Sequence, residues 1–115
     1  MTAKPGVSES FTCKEDNFNA DVKLEDGRLN IILEGRLDTI TSPGLLALYR
    51  EAEAKGDIRV INIDMEKLEY ISSAGLRVLL IMRKAVDDAD SFNILNMKEE
   101  IREIIETTGF DSIFC

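Results

Sequence analysis

The run Val60-Ile61-Asn62-Ile63-Asp64-Met65, followed shortly by Leu76-Arg77-Val78-Leu79-Leu80-Ile81-Met82, constrains this chain most. The first run is short and β-branched, which predicts a buried strand. The second is apolar and free of Gly and Pro as far as Val86, which predicts a helix. Between them stands Leu68-Glu69-Tyr70-Ile71-Ser72-Ser73-Ala74-Gly75. Ser72 and Ser73 are good N-cap residues, because a hydroxyl accepts a bond from an unpaired amide of the first turn. The order predicts a strand-to-helix junction with two hydroxyls at the positive end of the helix. A phosphate added there would meet free N–H groups and a favourable dipole.

The remaining segments supply a sheet and helices to hold that junction. Residues 1–10 are small and polar and read as a mobile tail, with residues 11–115 as one domain. Ser10 to Lys14 offers a short strand. Phe18, Ala20, Val22 and Leu24 alternate with polar residues, a half-buried strand. Asp26-Gly27 signals a hairpin back into Leu29 to Leu33. Ser42-Pro43 reads as N-cap and first helical residue. That helix runs to about Ala54 with Leu45, Leu46, Leu48, Tyr49 and Ala52 as its apolar stripe. Ile58 to Met65 is then a third strand, reached by a parallel crossover, and Asp64 to Glu69 connects it to the junction. The helix after Gly75 is expected to be the most buried, apolar around most of its circumference. It closes on Asp87-Asp88-Ala89-Asp90, acids at the wrong end for its dipole. Ser91 to Leu95 is the next strand, Glu99 to Thr107 the last helix, and Phe110, Ile113 and Phe114 a closing strand or clasp. The fold class is therefore α/β: a mixed sheet of four to five strands, an initial antiparallel hairpin, and packed helices.

Composition narrows the chemistry. There is no histidine, which removes a Ser-His-Asp or Cys-His set and the commonest metal ligand. Cys13 and Cys115 lie near opposite ends and form no spaced metal motif; two reduced thiols in a cytoplasmic protein are the simpler expectation. No phosphate loop, dinucleotide fingerprint or nucleophile elbow is present. The sequence points to no enzyme, no metal and no cofactor. A net charge of −8 disfavours nucleic acid and anionic membrane as direct partners and suits a basic docking face. No apolar run approaches the ~20 residues that span a bilayer, so membrane insertion is not expected.

The string Tyr70-Ile71-Ser72-Ser73-Ala74-Gly75-Leu76 closely resembles the signature of the STAS family, in particular its anti-sigma factor antagonists. There the pattern is aromatic, hydrophobic, Asp, Ser, Ser or Thr, Gly, Leu. Ser73 falls on the family's phosphoacceptor position; Ser72 stands where the family has Asp, and Ala74 replaces a second hydroxyl. Gly35-Arg36-Leu37-Asp38 resembles a second landmark, a Gly-Xaa-Leu/Ile-Asp segment, where the glycine would permit a bend or close backbone approach. The ending around Gly109-Phe110 resembles the family's close. The resemblance spans Phe18 to Phe114.

The resemblance implies a partner-switching role. Such antagonists bind an anti-sigma factor, usually a serine kinase, and release a sigma factor; the kinase phosphorylates the antagonist, which dissociates, and a PP2C-type phosphatase resets it. It implies phosphorylation at Ser73 and partner contacts from Asp38, Thr39, Thr41, Ser72, Ser73, Gly75 and Leu76. Arg77, which shares a helix face with Lys84, could join a partner contact or bind a phosphate. Electrostatics supplies the logic: a phosphate adds roughly −1.5 to −2 charge and bulk to a face that docks a partner when neutral. Two other roles stay open: a STAS regulatory module sensing a ligand or nucleotide, and an accessory subunit of a lipid-transport complex.

Overall fold

The computed structural model describes residues 8–87 and 91–109. Residues 1–7 of the expected tail, residues 88–90 and the closing segment 110–115 lie outside the described residues, and residues 8–10 of that tail are strand. The described residues form five strands, β1 (Ser8–Glu15), β2 (Phe18–Glu25), β3 (Arg28–Leu37), β4 (Val60–Ile71) and β5 (Phe92–Leu95). They also form the helices α1 (Ser42–Glu53), α2 (Ser73–Lys84) and α3 (Glu99–Thr107). The strands lie in one sheet in chain order. β1–β2 and β2–β3 are antiparallel, β3–β4 and β4–β5 parallel. The mixed α/β architecture with its antiparallel start is the one expected.

The turns follow from local chemistry. Asp26 and Gly27 both adopt positive φ, 54° and 80°, and Glu25 pairs directly with Arg28. That is the two-residue turn whose twist matches the flanking strands. Asn17, at φ 66°, plays a similar part between β1 and β2. Gly35 sits at φ 93°, and a Cβ there would lie 2.1 Å from the Asn17 carbonyl oxygen. That carbonyl also accepts from the Arg36 amide at 2.7 Å. Gly35 therefore lets β3 approach the β1–β2 turn, as its residue type suggested.

Register puts the apolar residues on one face. Val22, Ile31, Ile63 and Ile94 are successive partners across the sheet, as are Leu24, Leu29, Ile61 and Phe92. These rows meet Leu45, Leu48 and Tyr49 of α1, Leu76, Leu79 and Met82 of α2, and Ile101 and Ile105 of α3 in one core. The opposite face carries an amide ladder. Asn93 donates to Asn62 and Asn62 to Asn30, each at 2.9 Å. Leu80 and Ile81 are only half-buried. α2 thus keeps a narrow outer face, yet it has fewer exposed residues than α1 or α3, as expected of the most buried helix.

β4 also differs from the expectation. The residue pattern of 64–69 suggests a connector, yet the strand continues to Ile71. Opposite β3 it holds one extra residue between Asp64 and Lys67 and another between Leu68 and Tyr70. These bulges shift the side-chain period, so the buried positions become Met65, Leu68 and Ile71. The bulges carry β4 far enough to end level with β3, where Leu37 pairs with Ile71.

Candidate functional site

Two chain segments leave the sheet side by side at that level. After Ile71, Ser72 turns into α2; after Leu37, Asp38 turns into α1. The Ser72 amide donates to the Leu37 carbonyl at 2.9 Å, which ties the two exits together. Ser72 is extended, at φ −101° and ψ 175°, and its Oγ accepts from the Gly75 amide at 3.4 Å. Its carbonyl accepts from Leu76 at 2.9 Å. Ser72 is therefore the N-cap of α2. Ser73 becomes the first helical residue, exposed, with no hydrogen bond from its hydroxyl to any described residue. By position, the amides of Ser73 and Ala74 have no carbonyl one turn back within the helix.

Gly75 fixes how closely this helix start meets the sheet. A Cβ there would lie 2.8 Å from Leu37 Cγ and 2.9 Å from Ile71 Cγ1. The glycine is needed for contact, not for φ. Leu76 follows it into the core with no exposed surface. The Ser73 platform is thus clamped by the last inward residues of both central strands.

The second exit is a closed capping box. Asp38 Oδ1 accepts from the Ile40 amide at 3.0 Å and the Thr41 amide at 3.1 Å. In return Thr41 Oγ1 accepts from the Asp38 amide at 2.9 Å and donates to the Arg36 carbonyl at 2.8 Å. An acceptor serving the second and third residues beyond it, answered from the third, is the capping-box pattern. The Asp38 carbonyl accepts from the Ser42 amide at 2.8 Å, and the Ser42 hydroxyl donates to the same carbonyl. Ser42 was expected to be the N-cap. Instead the cap of the entering turn is Asp38, Thr41 directly precedes α1, and Ser42 is already helical. The backbone N–H bonds hold the Asp38 carboxyl below the usual carboxylate range, with the nearby Arg36 cation adding to the effect.

The box displays Ile40. It is 79% exposed, although large and apolar, while Thr41 beside it is only 4% exposed. The sequence points to Asp38, Thr39 and Thr41 in this turn and gives no sign of Ile40. The structure divides these residues. Thr39, Ile40, Ser73 and Arg77 are exposed, Asp38 and Ser72 are half-buried, and Thr41, Gly75 and Leu76 are buried and hold the others in place. Arg36 adds a fixed charge nearby, its guanidinium 4.3 Å from the Tyr70 ring centre. Clefts around Asp26, Gly27 and Arg59 lie at the opposite end of β3 and β4, remote from Ser73. Among the described residues no group of three or more potential ligands is placed to hold a metal ion. No described helix is long and apolar enough to cross a membrane.

Comparison with known proteins identifies the family and the fold. The STAS domain family model matches residues 19–114. BtrV of Bordetella bronchiseptica, which carries the name of an anti-sigma factor antagonist, is 38% identical over 90 residues, 77% of each chain. The anti-sigma-B factor antagonist of Bacillus subtilis is 27% identical over 99 residues, covering 84% of this chain and 88% of that protein. Among solved structures, the anti-sigma factor antagonist SpoIIAA in its unphosphorylated form superposes with a TM-score of 0.67 at 20% identity. It covers 81% of this chain and 83% of that one, a likeness of fold.

Proposed function

The chain belongs to the STAS domain family, and from that premise we propose that it is an anti-sigma factor antagonist switched by phosphorylation of Ser73. The names of its relatives support the first half. SpoIIAA, which shares the fold, is described in both unphosphorylated and phosphorylated forms. The observation that carries the second half is the division of labour between the paired serines. Ser72 spends its hydroxyl on the cap, and Ser73 presents a free one on a clamped helix start.

In the unmodified state the face around Ser73 and Ile40 docks an anti-sigma factor, which frees the sigma factor that protein had held. When the anti-sigma factor is a serine kinase, the terminal phosphoryl group of ATP passes to Ser73 Oγ. The bond to ADP breaks, and the hydroxyl proton leaves to a base of the kinase. The helix N-terminus accommodates the new dianion without a change of fold. The same group is too large and too charged for the interface that closed over a hydroxyl. A PP2C-type phosphatase returns the hydroxyl by hydrolysis. Ser72, in place of the family's Asp, leaves the cap neutral, so the phosphate adds its charge to a face with one carboxylate fewer.

The test is direct. The purified chain is incubated with its cognate anti-sigma factor and ATP, and the modified residue is located by peptide mass spectrometry. Phosphate on Ser73, absent in Ser73→Ala, is the expected result. A complex that forms and dissociates without any change at Ser73 would refute the switch.

A further inference from the structure

Ser73 and Arg77 lie one turn apart on α2, and both are exposed. Residues four apart on a helix place their Cβ atoms about 5–6 Å from each other, and the favoured order has the acid N-terminal to the base. A phosphate on Ser73 would create that order. Arg77 is available for it: among the described residues the ion pair present is Arg50–Glu53, and no hydrogen bond engages the Arg77 guanidinium. The other cations nearby are placed differently. Arg83 and Lys84 occupy the last turn of α2. Arg36 is laid over Tyr70.

We propose that Arg77 is the residue that holds the phosphate once Ser73 is modified, and that it is thereby drawn off the partner-docking face. The inference rests on Ser73 being the phosphoacceptor. Its consequence is a double change at one site. Modification adds a dianion and also engages a cation that the free face had presented. An anti-sigma factor that meets Arg77 with a carboxylate loses that attraction as the phosphate arrives. A bidentate guanidinium–phosphate pair suits this task better than a lysine, whose ammonium is a point charge.

The experiment uses the full chain with phosphoserine installed at position 73 during translation, so neither kinase nor partner is needed. The second ionisation of the phosphate is followed by phosphorus NMR in the wild-type background, Arg77→Gln and Arg77→Lys. A paired guanidinium favours the dianion, so this pKa, ordinarily about 6, falls. It should lie about 0.3 pH units or more lower with Arg77 than with Gln, with Lys between. The titratable and charged groups at this end of the sheet, namely Arg36 on β3, Asp38 after it and Glu69 and Tyr70 on β4, are common to all three proteins and cancel in the difference. The gap should shrink at 1 M salt, where the Debye length is about 3 Å. Equal pKa values in the Arg77 and Gln proteins would overturn the proposal. A partner indifferent to phosphoserine would overturn the switch instead, while leaving this titration difference in place.

Discussion

The Ser72 amide reaches the Leu37 carbonyl at 2.9 Å, and this bond joins the two halves of the site. Leu37 ends β3 and leads into the Asp38 box; Ile71 ends β4, and Ser72 after it caps α2. Because the parallel strands finish level, the hydroxyl of one segment and the isoleucine of the other are held over the same end of the sheet.

Gly75→Ala tests the clamp. The added methyl would press on Leu37 and Ile71 at under 3 Å. Overpacking of this kind costs about 1–3 kcal/mol, so thermal unfolding should drop by roughly 4 °C per kcal/mol. Binding of the anti-sigma factor should weaken as well, since the start of α2 is displaced. Gly56→Ala is the control: nothing lies within 4 Å of its added Cβ, and its stability should be unchanged or slightly raised.

Thr41→Val keeps shape and removes the hydroxyl that serves the Asp38 amide and the Arg36 carbonyl. Buried groups left unpaired cost about 1–3 kcal/mol. Denaturant unfolding should show a lower midpoint with an unchanged slope. Thr39→Val, at an exposed neighbour, should leave the midpoint where it was.

Ile40→Ser separates binding from folding. The side chain is 79% exposed, so its loss should leave the unfolding temperature within about 1–2 °C. An apolar anchor at an interface centre is commonly worth more than 1 kcal/mol. Affinity for the anti-sigma factor should therefore fall about tenfold or more by calorimetry. An unchanged affinity would remove Ile40 from the docking face.

Asp38 gives the acid limb of stability a defined sign. Its folded pKa lies below the ordinary value, chiefly through the Thr41 and Ile40 amides. The contribution is complete above the unfolded carboxylate pKa near 4 and is lost as pH falls through the lower folded value. Asp38→Asn should therefore be less stable than wild type at pH 7, with the gap narrowing between pH 5 and pH 2. Equal gaps at both ends would contradict the assignment of the cap.

Much of this was legible in the residues themselves. The alternation from Phe18 to Leu24 and the Asp26-Gly27 pair predicted the first hairpin because period and turn type are local properties. Glu99 to Thr107 was readable for the same reason, with its acidic first turn and the Ile101–Ile105 stripe. β4 was cut short because two bulges moved its buried positions to every third residue, and the exposed Glu66, Lys67 and Glu69 then read as a loop. Ser42-Pro43 hid the capping box because it offered a stronger local start signal, while the Asp38 box answers with Thr41 instead of the usual Glu or Gln. Ile40 went unseen because an apolar residue in sequence says nothing of its direction until the turn around it is fixed. Arg36 and Tyr70 meet only through the shifted register of β3 on β4, which no local pattern carries.

The central claim is tested most directly by titrating the cognate anti-sigma factor, in a calorimeter, with the unmodified chain and with the same chain carrying phosphoserine at position 73. Bringing a dianion into a closed interface costs several kcal/mol, so the modified chain should bind about 100-fold more weakly or not measurably. Ser73→Ala should bind as the unmodified chain does. Equal affinity for the two forms would contradict the account and leave Ser73 as the first residue of a helix and nothing more.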